Sequence, residues 1–258
     1  MENELHILLT NDDGIFAPGL KALYQRIQHL GRVTVVAPSD VQSGAGHAIS
    51  LDEIRCECLD IDGLFTGYSV DGSPADCVKL ALNEIVPDDN PIDLTISGMN
   101  HGANVGINIF YSGTVAGAIE SAFYNLPAIA VSAAFDEPMD FEGAADHAFD
   151  VIKQLIDLPP GRVANLNIPR LSKGTPKDVL VVPQSIHGFD EEYQVRTDEN
   201  GLKVYQLTGG RHRDPHGSGW VDTTALIAGH ITLTCLRQEL TDSEGNRLLS
   251  QKQLGRKR

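Results

Sequence analysis

Short runs of apolar, largely β-branched residues recur along the chain, each followed by polar or glycine-rich positions. Strands of a parallel sheet, buried on both faces, read this way. The pattern predicts strands at Leu5–Leu9, Val33–Val36, Leu94–Ile96, Ala128–Val131, Val163–Ile168 and Val179–Val182. Between them the apolar period lengthens to that of a helix. Leu20, Leu23, Tyr24, Ile27 and Leu30 fall on one face, as do Ala148, Val151, Ile152 and Leu155. Val78, Ala81, Leu82 and Ile85 follow Ser73-Pro74, a favourable N-cap and first-turn pair. Strands alternating with helices imply right-handed crossovers, hence an α/β fold with a mostly parallel sheet and helices on both faces.

After about Pro183 the pattern changes. Gln184 to Asp222 carries two Gly-rich turns, many charges and only short extended runs such as Val204–Leu207, which predicts a hairpin-like arm. Ala225–Leu236 reads as a turn followed by a strand over His230–Cys235. The expectation is a single domain over residues 1–258: an α/β core to about 183, an extended arm over about 184–240, and a tail over 241–258. Gly255-Arg256-Lys257-Arg258 reads as a solvated basic tail. A projecting arm often packs on a second subunit, so a homo-oligomer is expected.

Composition narrows the partners. Lys and Arg total 20 against 35 Asp and Glu, a formal charge of -15. Phosphate backbones are bound by basic side chains that displace counterions, so neither a nucleic acid duplex nor an anionic membrane is an expected partner. An anionic substrate would need a bound cation or oriented backbone N–H groups to reverse the field locally. At 258 residues roughly 70 to 75% of the unfolded chain's surface is buried on folding, so no disulfide or metal is needed as a staple. The four cysteines, Cys56, Cys58, Cys77 and Cys235, show no zinc spacing and read as reduced, mostly buried thiols. The N-terminus lacks the basic start and apolar core of a signal peptide, and no apolar stretch approaches membrane-spanning length. A cytoplasmic protein is expected.

In open α/β sheets ligands bind beyond the carboxyl ends of the strands. After the first strand comes Thr10-Asn11-Asp12-Asp13-Gly14, after the second Ser39 through His47, and after Ile96 Ser97-Gly98-Met99-Asn100-His101. Adjacent carboxylates at Asp12 and Asp13 repel each other, and an Asx-turn alone would use one of them. Hydroxyl and amide oxygens at Ser43 and Asn100 come from loops that a parallel sheet brings to the same edge. Two carboxylates with neutral oxygens suit Mg²⁺ or Mn²⁺ and suit Zn²⁺ poorly. Farther along, Ser112-Gly113-Thr114 opens a helix, where free N–H groups and the dipole make an anion site. The competing reading takes Ser112 as an N-cap and Gly113 as a packing residue.

Several signatures are missing: GxxxxGK[ST], GxGxxG after the first strand, and GxSxG. Of nine histidines, His47 and His101 lie in the candidate loops, where surface or supporting positions are commoner than direct ligation. His212 and His216 read as part of a solvated turn.

The ordered motifs resemble the SurE survival-protein family. They are Ile7 through Ile15 with Ala17-Pro18-Gly19, Val36-Ala37-Pro38 with Gln42 through Ala45, Asp71 through Val78, and Ser97 through Val115. Asn165 through Pro169, Asp222-Thr223 and Ala225 through Leu236 extend the likeness over nearly the whole chain. The resemblance implies a Rossmann-like fold. It also implies a divalent-metal-dependent phosphomonoesterase that hydrolyses nucleoside 5′-monophosphates by a metal-activated water, with 3′-nucleotides and short polyphosphates as further substrates. One divalent ion per subunit, Mg²⁺ or Mn²⁺, would be held by Asp12, Asp13, Ser43 and Asn100, with the two aspartates catalytic. Phosphate contacts would fall on Asn104, Ser112, Gly113 and Thr114. The family's exchanged C-terminal arms imply a homodimer or homotetramer. The sequence departs from the family pattern at Cys235, where Pro is common, and at Asp71-Gly72-Ser73, where Gly-Thr is usual.

Overall fold

A computed structural model describes residues 4–213 and 219–252. The basic tail at 255–258 and His216 lie outside the described residues.

Nine strands form one sheet in the order β3-β4-β2-β1-β5-β6-β7-β11-β8. They are β1 (Leu5–Thr10), β2 (Gly31–Pro38), β3 (Cys56–Ile61), β4 (Phe65–Val70), β5 (Leu94–His101), β6 (Ala128–Ala133), β7 (Val163–Ile168), β8 (Lys177–Val181) and β11 (His230–Leu236). All six expected core strands are present. Every pairing is parallel except β3 with β4 and β11 with β7. The remaining strands, β9 (Phe189–Thr197) and β10 (Lys203–His212), pair only with each other.

The central strands are buried on both faces, and alternation sends successive side chains to opposite layers. Ile7 and Leu9 join a cluster with Leu20, Leu23 and Ile27 of α1 (Pro18–Ile27) and Ala144, Ala148 and Ile152 of α4 (Phe141–Ile152). Leu8 points the other way, onto Val78 of α2 (Pro74–Leu80) and Ala81. On that same side α3 (Gly113–Phe123) packs Val115, Ala118 and Ala122 on Ala128 and Ala130 of β6. Ser73 caps α2 with a full capping box, its hydroxyl accepting from the Asp76 N–H while Asp76 accepts from the Ser73 N–H.

The structure differs from the sequence reading in four respects. The β3–β4 hairpin was not expected, because its edge strand β3 is mostly exposed and lacks an apolar run. Its signal is Asp62-Gly63, both at positive φ, a turn pair that favours hairpins. The segment read as a turn includes a short helix, α5 (Asp222–Ile227), followed by β11, and the tail holds α6 (Ser243–Ser250). Because β11 returns to the main sheet between β7 and β8, only the β9–β10 ribbon stands apart from it. Of the four thiols only Cys77 is buried; Cys56, Cys58 and Cys235 are exposed.

Candidate active site

The site begins where β1 ends. Asp12 is 3% exposed and its carboxylate accepts a hydrogen bond from the Thr114 hydroxyl at the start of α3. Burial pushes the Asp12 carboxyl up; the Thr114 hydrogen bond pulls it back, Asp13 adds a further push, and the balance stays above the ordinary carboxylate value. Among the described residues no Lys or Arg pairs with Asp12 or Asp13. A buried carboxylate beside a second carboxylate with no cation is a costly arrangement that a divalent ion would relieve. Nearby, Thr10 Oγ1, Asn11 Oδ1 and Ser97 Oγ are buried without hydrogen-bond partners among the described residues.

Three segments are drawn to this point. The Gln42 N–H donates to the Asp12 carbonyl at 2.7 Å, and the Gly46 N–H donates to the Tyr111 carbonyl at 3.1 Å. The loop carrying exposed Ser43 is therefore tied both to β1 and to the approach to α3. His47 does not face the carboxylates: its Nε2 lies 2.7 Å from Glu120 of α3, a buried carboxylate that Lys79 of α2 also pairs at 2.6 Å. That clamp was not anticipated, because its members are 32 and 73 residues from His47.

The end of β5 supplies the third segment. Its register against β6 slips between Ser97 and Asn100, a bulge of the kind that re-aims a side chain. Gly98 at φ 141° makes the bulge, and a Cβ there would overlap the Val131 carbonyl oxygen. Asn100 Nδ2 donates to the Gly102 carbonyl at 2.7 Å, which orients its Oδ1 for another partner. Asp13 accepts the His101 N–H at 2.9 Å, so His101 serves the site through its backbone while its ring stacks on Phe135.

At the start of α3, Ser112 Oγ accepts the Val115 N–H at 3.0 Å, which makes Ser112 an N-cap. Gly113 presses on Asp12; a Cβ there would stand 2.7 Å from Asp12 Cβ. These are the contacts of the cap-and-packing reading, and they place the helix N-terminus against the carboxylate. Asn104 sits apart. Its Nδ2 donates to Ser132 of β6 at 2.9 Å, its N–H to Asn167 of β7 at 2.8 Å, and its carbonyl accepts from Asn165. Its hydrogen bonds run to the sheet and not to Asp12 or Asp13. Asp222, fully buried, accepts the N–H groups of Gly106, Ser185 and Thr223 and so pins the loop after β5 to the base of the arm.

The donors offered are carboxylate, hydroxyl and amide oxygens, and among the described residues no three His, Cys, Asp or Glu converge at metal-holding geometry. This set fits a hard cation of the Mg²⁺ type. A sequence model of the family described as "Survival protein SurE" matches residues 7–191. The chain belongs to the SurE family.

Relatives named 5′-nucleotidase SurE agree over nearly the full length. The one from Rhodopirellula baltica is 42% identical over 240 residues, spanning 92% of this chain and 94% of the relative. The one from Syntrophobacter fumaroxidans is 39% identical over 246 residues, spanning 93% and 96%. A crystal structure of the SurE protein from Aquifex aeolicus superposes with a TM-score of 0.79 at 34% identity, covering 95% of this chain and 99% of that one. The family match over residues 7–191 takes in all three site segments. Among the described residues no helix is long and apolar enough to cross a membrane.

Proposed function

We propose that the chain is a 5′-nucleotidase, a phosphoric monoester hydrolase that releases inorganic phosphate from nucleoside 5′-monophosphates. The observation that carries this reading is the buried, uncompensated Asp12 beside Asp13, abutting the N-terminus of α3. The SurE relatives bear the name of that activity.

In this reading Asp12, Asp13, Ser43 and Asn100 hold one Mg²⁺ or Mn²⁺ ion per subunit. Such an ion, when bound, withdraws charge from the phosphoryl group and acidifies water. The chain's own groups do the rest. Asp12, kept in place by Thr114, orients the attacking water and takes up its proton. The N–H groups of Gly113 and Thr114 and the Ser112 hydroxyl, at the N-terminus of α3, stabilise the phosphoryl oxygens where charge develops. Asn104 acts from behind, bracing the loop that follows Asn100 through β6 and β7. We assign residues 1–183 to the chemistry and the arm beyond to assembly of a homodimer or homotetramer. The proposed setting is the cytoplasm, and 3′-nucleotides and short polyphosphates are secondary substrates.

Metal-stripped protein incubated with AMP is expected to release phosphate only after Mg²⁺ or Mn²⁺ is added, and Asp13→Asn is expected to lose both tight Mn²⁺ binding and turnover. Phosphate release in EDTA, or full Mn²⁺-dependent activity in the variant, would overturn the assignment. A labile phosphoprotein trapped during turnover would replace direct water attack with an aspartyl intermediate.

A further inference from the structure

A cavity of about 640 Å³ opens at the carboxyl ends of β5, β6 and β7, between the sheet and the root of the arm. Its volume falls in the range of small-molecule sites, roughly 300 to 1,000 Å³. Ala103, Phe135, Phe189 and His212 line it, with Arg170 and Lys173 at its rim. The mechanism above uses none of these side chains.

Phe135 links this space to the carboxylates. One face of its ring stacks on His101, with centroids 5.0 Å apart and planes 23° from parallel. The His101 backbone N–H is itself 2.9 Å from Asp13. Phe135 is nevertheless 53% exposed and borders the cavity. An aromatic ring held rigidly on one face and open on the other is a stacking platform. The His101 residue thus stands between the ring and Asp13, with its side chain against Phe135 and its backbone N–H on the carboxylate. Arg170 and Lys173 are exposed cations in a chain of charge -15, so the rim also favours an anionic ligand. His212 is pushed below its ordinary value by burial, against an opposing pull from Asp222, and among the described residues its Nδ1 has no partner. A neutral imidazole can both donate to and accept from a base edge.

We infer that this cavity receives the nucleoside of the substrate and that Phe135 stacks on its base. The inference rests on the nucleotidase reading for its substrate class. A smaller space of about 240 Å³, lined by Phe110, Phe123 and Ser112, runs along the flank of α3 and is the alternative location. The β6 side is favoured because it lies at the strand ends, is larger, and presents a ring already ordered by the residue that bonds Asp13.

The test compares AMP with ribose 5-phosphate, which keeps the phosphate and sugar but lacks a base, in the metal-loaded protein. Phe135→Ala is expected to lower kcat/KM for AMP about tenfold, the scale of one lost base–aromatic stack, and to leave ribose 5-phosphate unchanged. Phe135→Trp is expected to restore AMP turnover. Adenosine binding to the metal-free protein, followed by calorimetry, should weaken in Phe135→Ala and return in Phe135→Trp. Equal losses on both substrates, unchanged adenosine binding, or selectivity that follows Phe123→Ala instead would each overturn the inference. Phe135-dependent adenosine binding without any phosphate release would sink the nucleotidase reading and leave the base site standing.

Discussion

The edge of the sheet that carries the carboxylates and the β9–β10 ribbon are built on opposite principles. At the edge many polar groups are buried and held: Asp12 by Thr114, Asn104 by Ser132 and Asn167, Asp222 by three N–H groups, and Glu120 by His47 and Lys79, while Thr10, Asn11 and Ser97 keep buried oxygens without partners among the described residues. In the ribbon, Tyr193 opposes Leu207 and Val195 opposes Tyr205, so four apolar side chains share one face, each more than half exposed. An isolated two-stranded hairpin is marginal in water. The contrast separates a surface whose polar groups are held largely within one chain from an exposed apolar face, which we propose another subunit covers.

The largest effect that could break this contrast is expected at Gly113. Adding one methyl there forces Asp12 aside, because the new Cβ would stand 2.7 Å from Asp12 Cβ. A displacement of about 1 Å at a reacting centre costs on the order of 100-fold in rate. Gly113→Ala is therefore expected to lower kcat/KM for AMP about 100-fold while thermal unfolding changes little. Wild-type kinetics in that variant would show that Asp12 need not sit where α3 holds it.

Next in size is the ribbon. Tyr193→Asp combined with Leu207→Asp places like charges directly opposite each other on its apolar face, which disfavours both pairing and burial. Light scattering is expected to show dissociation to a smaller species, with hydrolysis of AMP by the separated subunits largely retained. An unchanged mass would mean that the ribbon is not the assembly surface. Lost activity with the mass halved would mean that the site depends on the partner.

How much of this was legible in the chain follows from distance. The core strands and α1, α2 and α4 announce themselves because two-sided burial leaves a local apolar signature, as in Ile7-Leu8-Leu9. The loops that carry Asp12, Asp13, Ser43 and Asn100 could be grouped because parallel topology sends the ends of β1, β2 and β5 to one edge. The supports could not. Thr114 is 102 positions from Asp12, and Asp222 is 116 from Gly106, so no window reveals either contact. Asn104 shows the same limit from the other side: its long-range hydrogen bond to Ser132 is visible only in the fold.

The smallest expected effect concerns pH and the anchoring of the Ser43 loop. Asp76, 3% exposed at the start of α2, accepts the Ser50 N–H at 3.0 Å, the Ser50 hydroxyl at 2.8 Å and the Ser73 N–H at 2.9 Å. Burial alone would push its carboxyl up, but these donors outweigh burial and hold it below 3.8. A value lower in the folded than in the unfolded chain means that folding favours the charged form. Its contribution is then complete above the unfolded value and fades as pH falls from about 4 through the folded value. Asp76→Asn should be less stable than wild type at neutral pH by urea unfolding, and the gap should close below about pH 4. The exposed ribbon has no comparable buried carboxylate, so acid is expected to loosen residues 39–50 before it affects β9 and β10, as amide hydrogen exchange would resolve. A gap that persists unchanged into acid would show that the Asp76 charge contributes nothing and that the shape of its side chain alone secures the loop.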